Sequence, residues 1–407
     1  MTSDPHDGGP SWLDEIPQRL AALDAAHLTR RRREVRPDDG AWLRVDGRRM
    51  LAFCSNDYLG LSQHPALREA AITGAQAYGV GSGASPMVSG HSEANAALER
   101  ELAEFVGLER ALYFYAGYAT NASIVPALVG PDDALFSDAL NHACLIDGAR
   151  LSKATIHRFA HADLAQLDAL MQASPARRKL VLSDAVFSMD GDLADIPALI
   201  ALCERHDALL LLDDAHGFGV CGPQGRGSLA AVGRTGAHAS RRVVYMATLG
   251  KAAGVAGAFV AGSHVLVEWL LQKTRSYTFA TAAPAMLAEG VRAALRVFRD
   301  DSARLARLHR HIARFRAGLP AAIEGAPWTL LPSETAVQAL VIGANDDALR
   351  AMQSLADAGL WVPAIRPPTV PEGTARLRIA LSAAHTEGDI DALLRGLAQV
   401  ARNARAA

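Results

Sequence analysis

Between about residues 95 and 265, short apolar runs alternate with stretches whose apolar residues recur at helical spacing. Residues 112–115, 134–136, 155–159, 180–183, 209–213, 243–247 and 258–261 are predicted strands. Residues 96–105, 119–128 and 196–206 are among the intervening predicted helices. This alternation predicts an α/β fold with a mostly parallel seven-stranded sheet and helices on both faces. The unbroken run Ala208-Leu209-Leu210-Leu211-Leu212 fits a strand covered on both sides.

The flanks follow a different rhythm. Residues 1–10 read as a loose tail. Residues 11–35 place Leu13, Ile16, Leu20, Leu23 and Leu28 at helical spacing and end in the run Arg30-Arg31-Arg32-Arg33. A hairpin is predicted next, with Asp46-Gly47 as its two-residue turn between Trp42, Leu43, Val45 and Met50, Leu51, Phe53. Beyond Pro284 the spacing predicts one long Arg-rich helix over 285–319, then a strand (336–342), a helix (346–358), a strand (377–381) and a last helix (386–401). Three parts follow: an N-terminal helix and hairpin (1–55) packing with the small domain, a large domain (56–284) and a smaller α/β domain (285–407).

Composition narrows the function classes. The chain has 407 residues, 50% hydrophobic and 21% charged, enough apolar content for a large core. Its 41 basic and 43 acidic residues leave a net charge of −2, so no global field points to nucleic acid or an anionic membrane. Any anion must be held locally. Cys54, Cys144, Cys203 and Cys221 form no CxxC pair, which argues against a zinc knuckle or a disulfide framework. No basic segment followed by an apolar one opens the chain, and no apolar stretch reaches the ~18 residues of a membrane helix. A cytoplasmic protein is expected.

In open parallel sheets ligands sit at the carboxyl ends of the strands. After 112–115 comes Ala116-Gly117-Tyr118-Ala119-Thr120-Asn121, a glycine-opened helix start suited to an anion. After 180–183 comes a polar loop holding Ser188. After 209–212 come Asp213 and His216, costly in a buried place unless partnered. After 243–247 come Thr248-Leu249-Gly250-Lys251, a lysine framed by small residues, where desolvation would make its amine nucleophilic. Taken singly, each also fits a plain structural role: a strand-to-helix turn, a turn serine, a buried hydrogen-bonded pair.

Two tempting motifs fail. Gly217-x-Gly219-x-x-Gly222 matches a dinucleotide fingerprint, but Pro223, Gly225 and Gly227 follow where a helix should begin. Gly250-Lys251 lacks the rest of a P-loop, since Tyr245 and Ala252 stand where glycine and a hydroxyl residue are required. No HExxH or comparable spacing supports a metal site. The set that remains is a lysine, a carboxylate and a helix N-terminus with a hydroxyl. Those are the needs of pyridoxal 5′-phosphate (PLP), through its aldehyde, its ring nitrogen and its phosphate.

The segments Ser55-Asn56-Asp57-Tyr58-Leu59-Gly60-Leu61, Asn141-His142-Ala143, Val186-Phe187-Ser188-Met189-Asp190-Gly191-Asp192, Asp213-Asp214-Ala215-His216-Gly217 and Thr248-Leu249-Gly250-Lys251 resemble the α-oxoamine synthases. These are fold-type-I PLP enzymes that condense an amino acid with an acyl thioester and release CO2. The resemblance runs from about residue 13 to 400. It implies that Lys251 holds the cofactor as a Schiff base and then takes the Cα proton of the amino acid. It implies that Asp213 pairs with the ring nitrogen and His142 stacks on the ring. His216 and Ser188 would lie beside the ring, His216 near the phenolic oxygen. Gly117, Tyr118 and Thr248 would hold the phosphate. Arg378 would clamp the amino-acid carboxylate and Asn56 would lie near the substrate carbonyl. Thr369 and an Arg of the Arg30–Arg33 run, Arg30 foremost, would contact the acyl group.

Ala364-Ile365-Arg366-Pro367-Pro368-Thr369-Val370-Pro371, with Arg376-Leu377-Arg378, most resembles members that take L-alanine and a pimeloyl thioester, either pimeloyl-CoA or pimeloyl-acyl carrier protein. Sister enzymes take glycine with acetyl-CoA, or serine with a long acyl chain. A non-catalytic scaffold of this fold should lack the lysine that is present here. The resemblance also implies a homodimer, with residues 277–281 reaching the other protomer's phosphate. Pro86 and Ala280 depart from the family pattern, and Leu28-Thr29-Arg30 stands where Leu-Tyr-Arg is usual.

Overall fold

A computed structural model describes residues 11–26 and 28–406. The expected tail at 1–10 lies outside them. The central sheet has seven strands: β1 (Arg110–Phe114), β2 (Ala134–Asp138), β3 (Thr155–Phe159), β4 (Lys179–Asp184), β5 (Leu209–Asp213), β6 (Val243–Thr248) and β7 (Ala258–Gly262). Their order is β1-β7-β6-β5-β4-β2-β3. Only β7 runs antiparallel, to both of its neighbours. The other four pairings are parallel, as the alternating pattern predicts.

Successive side chains of each strand leave for opposite faces and enter two separate apolar cores. Leu210 and Leu212 join one core, and Leu211 joins the other. Val243 and Tyr245 divide from Val244 and Met246 in the same way. Each fully buried leucine contributes roughly 2 kcal/mol of transfer free energy. The parallel strands end in register at polar residues, with Asp184 of β4 paired to Asp213 of β5. The site is thus set along one edge of the sheet.

The hairpin forms as predicted, Trp42–Val45 against Arg48–Ala52. Asp46 (φ 47°) and Gly47 (φ 82°) both take the left-handed turn conformation that an Asp-Gly pair tolerates. Val35–Pro37 flanks this hairpin on one side, and Leu360–Trp361, from the far end of the chain, pairs with it in parallel on the other. A third sheet joins Thr329–Leu330, Val337–Gly343, Ala375–Ala380 and Ala364–Ile365.

Two predicted helices differ from expectation. The N-terminal helix spans Trp12–Ala25 and does not reach residue 35. Leu28 N–H donates to Leu23 C=O at 2.8 Å, an i to i−5 bond that closes the last turn. The helix buries no residue, so no packing extends it, and Arg30–Arg33 lie in neither helix nor strand. The expected helix over 285–319 is two helices, α1 (Ala285–Asp300) and α2 (Ser302–Ala322). Asp301 breaks it at φ −111°, ψ 67°, where its side chain accepts from Arg304 N–H. α1 packs on Pro65–Tyr78 and Glu93–Val106, and α2 on the C-terminal helix Glu387–Ala406.

Candidate active site

The carboxyl edge of the sheet delivers the side chains. β5 ends in Asp213, whose chain then turns through Ala215 to His216. Asp213 is buried, with Oδ2 accepting from Asn121 Nδ2 at 2.6 Å and Oδ1 from Ala215 N–H at 2.9 Å. It makes no ion pair among the described residues. A buried carboxylate in that condition is costly unless a cation meets it. Asn121 Oδ1, beside it, is a buried oxygen with no hydrogen-bond partner.

β6 ends in Thr248, and Lys251 follows in the next turn. Burial lowers the pKa of the Lys251 amine, against the opposing pull of the Asp213 charge. Its Nζ lies 2.8 Å from His216 Nε2. His216 Nδ1 lies 2.6 Å from the Tyr58 hydroxyl, which lies 3.1 Å from Asn56 Oδ1. That oxygen accepts from both terminal nitrogens of Arg378 at 3.3 Å. Arg378 Nε donates to Ser188 C=O at 2.6 Å. One chain of hydrogen bonds thus joins Lys251, His216, Asn56, Arg378 and Ser188. Burial and the positive charges of Lys251 and Arg378 hold the His216 pKa well below the usual range.

Opposite, the helix Gly117–Leu128 begins without a side-chain cap. A Cβ on Gly117 would lie 3.5 Å from Thr248 Oγ1, so that hydroxyl and the helix start face each other. Tyr118 is exposed, its hydroxyl bonded to Asp147, and its ring meets His142 edge-on. His142 caps the helix Ala143–Ser152, its Nδ1 accepting from Cys144 N–H at 3.3 Å. Its backbone N–H donates to Asp184 Oδ2 at 2.7 Å, and its ring is left open to solvent. Burial, with the Asp213 charge next to it, raises the Asp184 pKa well above the carboxylate range.

These residues fit PLP. A desolvated amine, a buried unpaired carboxylate, an open imidazole face and an uncapped helix start beside a hydroxyl are the groups it requires.

Arg30 and Thr369 come together elsewhere. They line a cavity of about 1080 Å³ with Leu20, Leu23, Leu28 and Ile365, between the N-terminal helix and the 364–369 segment. Lys251 is not among its lining residues. The Gly217–Gly222 loop leads to the short turn Pro223–Gly225 and not to a phosphate-binding helix.

The structure adds Tyr58, Asn121, Cys144 and Asp184 to the residues singled out from sequence. Tyr58 and Asn121 lie inside the segments 55–61 and 116–121 quoted above. Tyr58 reads there as part of an apolar run, and Asn121 as one more residue of a helix start. Nothing in the linear pattern marks Cys144, whereas Asp184 directly follows the predicted strand 180–183 and carries the same strand-end signal as Asp213.

Residues 48–397 match the family of class I and II aminotransferases, and the chain belongs to that family. Among its relatives, 8-amino-7-oxononanoate synthase of Paracidovorax citrulli is 72% identical, over 98% of this chain and 97% of that one. 8-amino-7-oxononanoate synthase 1 of a Polaromonas species is 70% identical, over 96% and 97%. A serine palmitoyltransferase variant from S. paucimobilis, solved with bound PLP, is 26% identical with a TM-score of 0.89, over 98% and 99%.

Proposed function

We propose that this chain is a PLP-dependent acyltransferase, an 8-amino-7-oxononanoate synthase of biotin synthesis. It condenses L-alanine with a pimeloyl thioester, of CoA or of an acyl carrier protein, and releases CO2 and the free thiol. The observation that carries this reading is the hydrogen-bond chain from Lys251 to Arg378, which sets an amine and a carboxylate clamp at two ends of one site. Whole-length identity to the named synthases supports the choice of substrates.

When bound, PLP supplies an aldehyde for amines and a ring that accepts the electron pair of a carbanion. Asp213, its carboxylate held in place by Asn121 and Ala215 N–H, would meet the cationic ring nitrogen. His142 would cover the ring, while Gly117 and Tyr118 N–H groups and the Thr248 hydroxyl would hold the phosphate. Arg378 would bind the alanine carboxylate, assisted by Asn56, and Ser188 and His216 would border the ring. Lys251 Nζ, desolvated and of lowered pKa, takes the Cα proton. The Cα–C bond then forms at the thioester carbonyl and the thiolate leaves, taking a proton from solvent; the carboxyl group departs as CO2, and Lys251 Nζ returns its proton to Cα. Arg30 and Thr369 receive the acyl chain in the cavity between them.

Among the described residues no helix is long and apolar enough to cross a membrane. A cytoplasmic location and a homodimer are part of the proposal.

Lys251→Ala, assayed for CO2 release with L-alanine and pimeloyl-CoA, is expected to lose about 10²- to 10⁴-fold in turnover. Turnover at the unsubstituted rate overturns the mechanism. Faster turnover of glycine with acetyl-CoA, or of serine with a long acyl-CoA, overturns the substrate assignment.

A further inference from the structure

The buried phenol of Tyr58 links His216 to Asn56 in the hydrogen-bond chain. Its side chain is 1% exposed, and its hydroxyl touches His216 Nδ1 at 2.6 Å and Asn56 Oδ1 at 3.1 Å. A phenol has one proton to give and lone pairs to receive others. Which contact takes that proton is decided further along. A guanidinium only donates, and both terminal nitrogens of Arg378 point at Asn56 Oδ1. This fixes the carboxamide with its oxygen toward Tyr58 as well. Two oxygens 3.1 Å apart attract only if a proton lies between them, so Tyr58 donates to Asn56. Its own oxygen must then accept from His216, which places the imidazole proton on Nδ1. The lone pair on Nε2 is left facing Lys251 Nζ at 2.8 Å.

We propose that Tyr58 is a positioning residue that sets the tautomer of His216, holding the ring proton on Nδ1 so that Nε2 offers Lys251 a lone pair. The inference rests on the reading of Lys251 and His216 as site residues, and not on the identity of the acyl donor. While the Lys251 amine is free, the relay runs Lys251 to His216 to Tyr58 to Asn56, with Arg378 donating from the far end. An Nε2 lone pair steadies the ammonium that forms when Lys251 takes a proton. Asn56 and Arg378 cannot reverse, so the Tyr58 proton stays on the Asn56 side and the ring proton stays on Nδ1.

The test is ¹⁵N NMR of the protein labelled at histidine and freed of PLP, with Tyr58→Phe beside it. Phenylalanine fills the same space and removes only the hydroxyl. The unsubstituted protein is expected to show the His216 ring as the Nδ1–H tautomer, and the variant to show loss of that preference. In the PLP-loaded enzyme, Tyr58→Phe is expected to lower kcat about 10- to 100-fold with little change in KM for alanine. An Nε2–H ring in the unsubstituted, PLP-free protein overturns the proposal, and this needs no variant to fold. The same ring state in both proteins overturns it as well. Inactivity toward alanine and pimeloyl-CoA with the expected ring state would instead strike the proposed function alone.

Discussion

At the scale of single residues, chemistry was legible where a polar side chain interrupts an apolar run. Asp213 stands out because it closes a strand that is otherwise wholly apolar, and Lys251 because it follows such a strand in a turn of small residues. Tyr58 does not, because a tyrosine among Leu59 and Leu61 is indistinguishable from core until its hydroxyl is placed. Buried histidines pose the same difficulty. His385 is 3% exposed and lies flat on Phe53, ring centroids 4.4 Å apart. Its Nδ1 accepts from Ser382 N–H and its Nε2 donates to Ala52 C=O, each at 3.0 Å. Burial lowers its pKa to about 4. Between pH 6.5 and 4 the unfolded chain therefore binds a proton that the folded chain refuses, so stability falls as the medium is acidified through that window. The loss amounts to about 3 kcal/mol. His385→Gln is expected to be less stable at neutral pH, and its deficit should shrink by about that amount as pH falls through the window. Urea unfolding at a series of pH values measures this, and parallel curves for the two proteins would exclude it.

At the scale of elements, periodicity reported where apolar faces lie but not where the backbone stops. The central strands were found because each is a short apolar run between turn residues. The α1–α2 break was missed because apolar spacing continues through it. Only Asp301 marks the stop, and an aspartate on a polar helix face carries no signal by itself. The break lets α1 lie on the helices of the large sheet and α2 lie on the C-terminal helix. It also places Arg304, which bonds both Asp301 and Leu59 C=O in the 55–61 segment that holds Asn56 and Tyr58. Asp301→Ala removes the cap that stops one helix and starts the next, at a cost of about 1 kcal/mol. The urea midpoint should fall accordingly, with turnover falling less than stability. An unchanged midpoint would show that the break is held by packing alone.

At the scale of the whole molecule, local pattern announced the large sheet but not the return of the chain. The parallel pairing of Leu51 with Leu360 joins segments far apart in sequence, and no local rule foretells it. Nor does periodicity say which apolar residues stay on the surface. Val80 (77%), Val88 (80%) and Phe279 (72%) are exposed on two segments joined by the bond from Ala282 N–H to Ala84 C=O. Tyr115 and Tyr118, at the start of the helix beside Thr248, are exposed as well. Scattered apolar residues need no explanation, but several on linked segments form a patch of the kind an interface covers. The proposed homodimer would cover it if residues 277–281 reach the other protomer's phosphate site. Val88→Glu, which sets a charge in that surface, is expected to leave single chains in sedimentation experiments and to weaken PLP retention. Phe279→Ala should act in the same direction. Full activity in a protein that sediments as one chain would show that each site is complete without its neighbour.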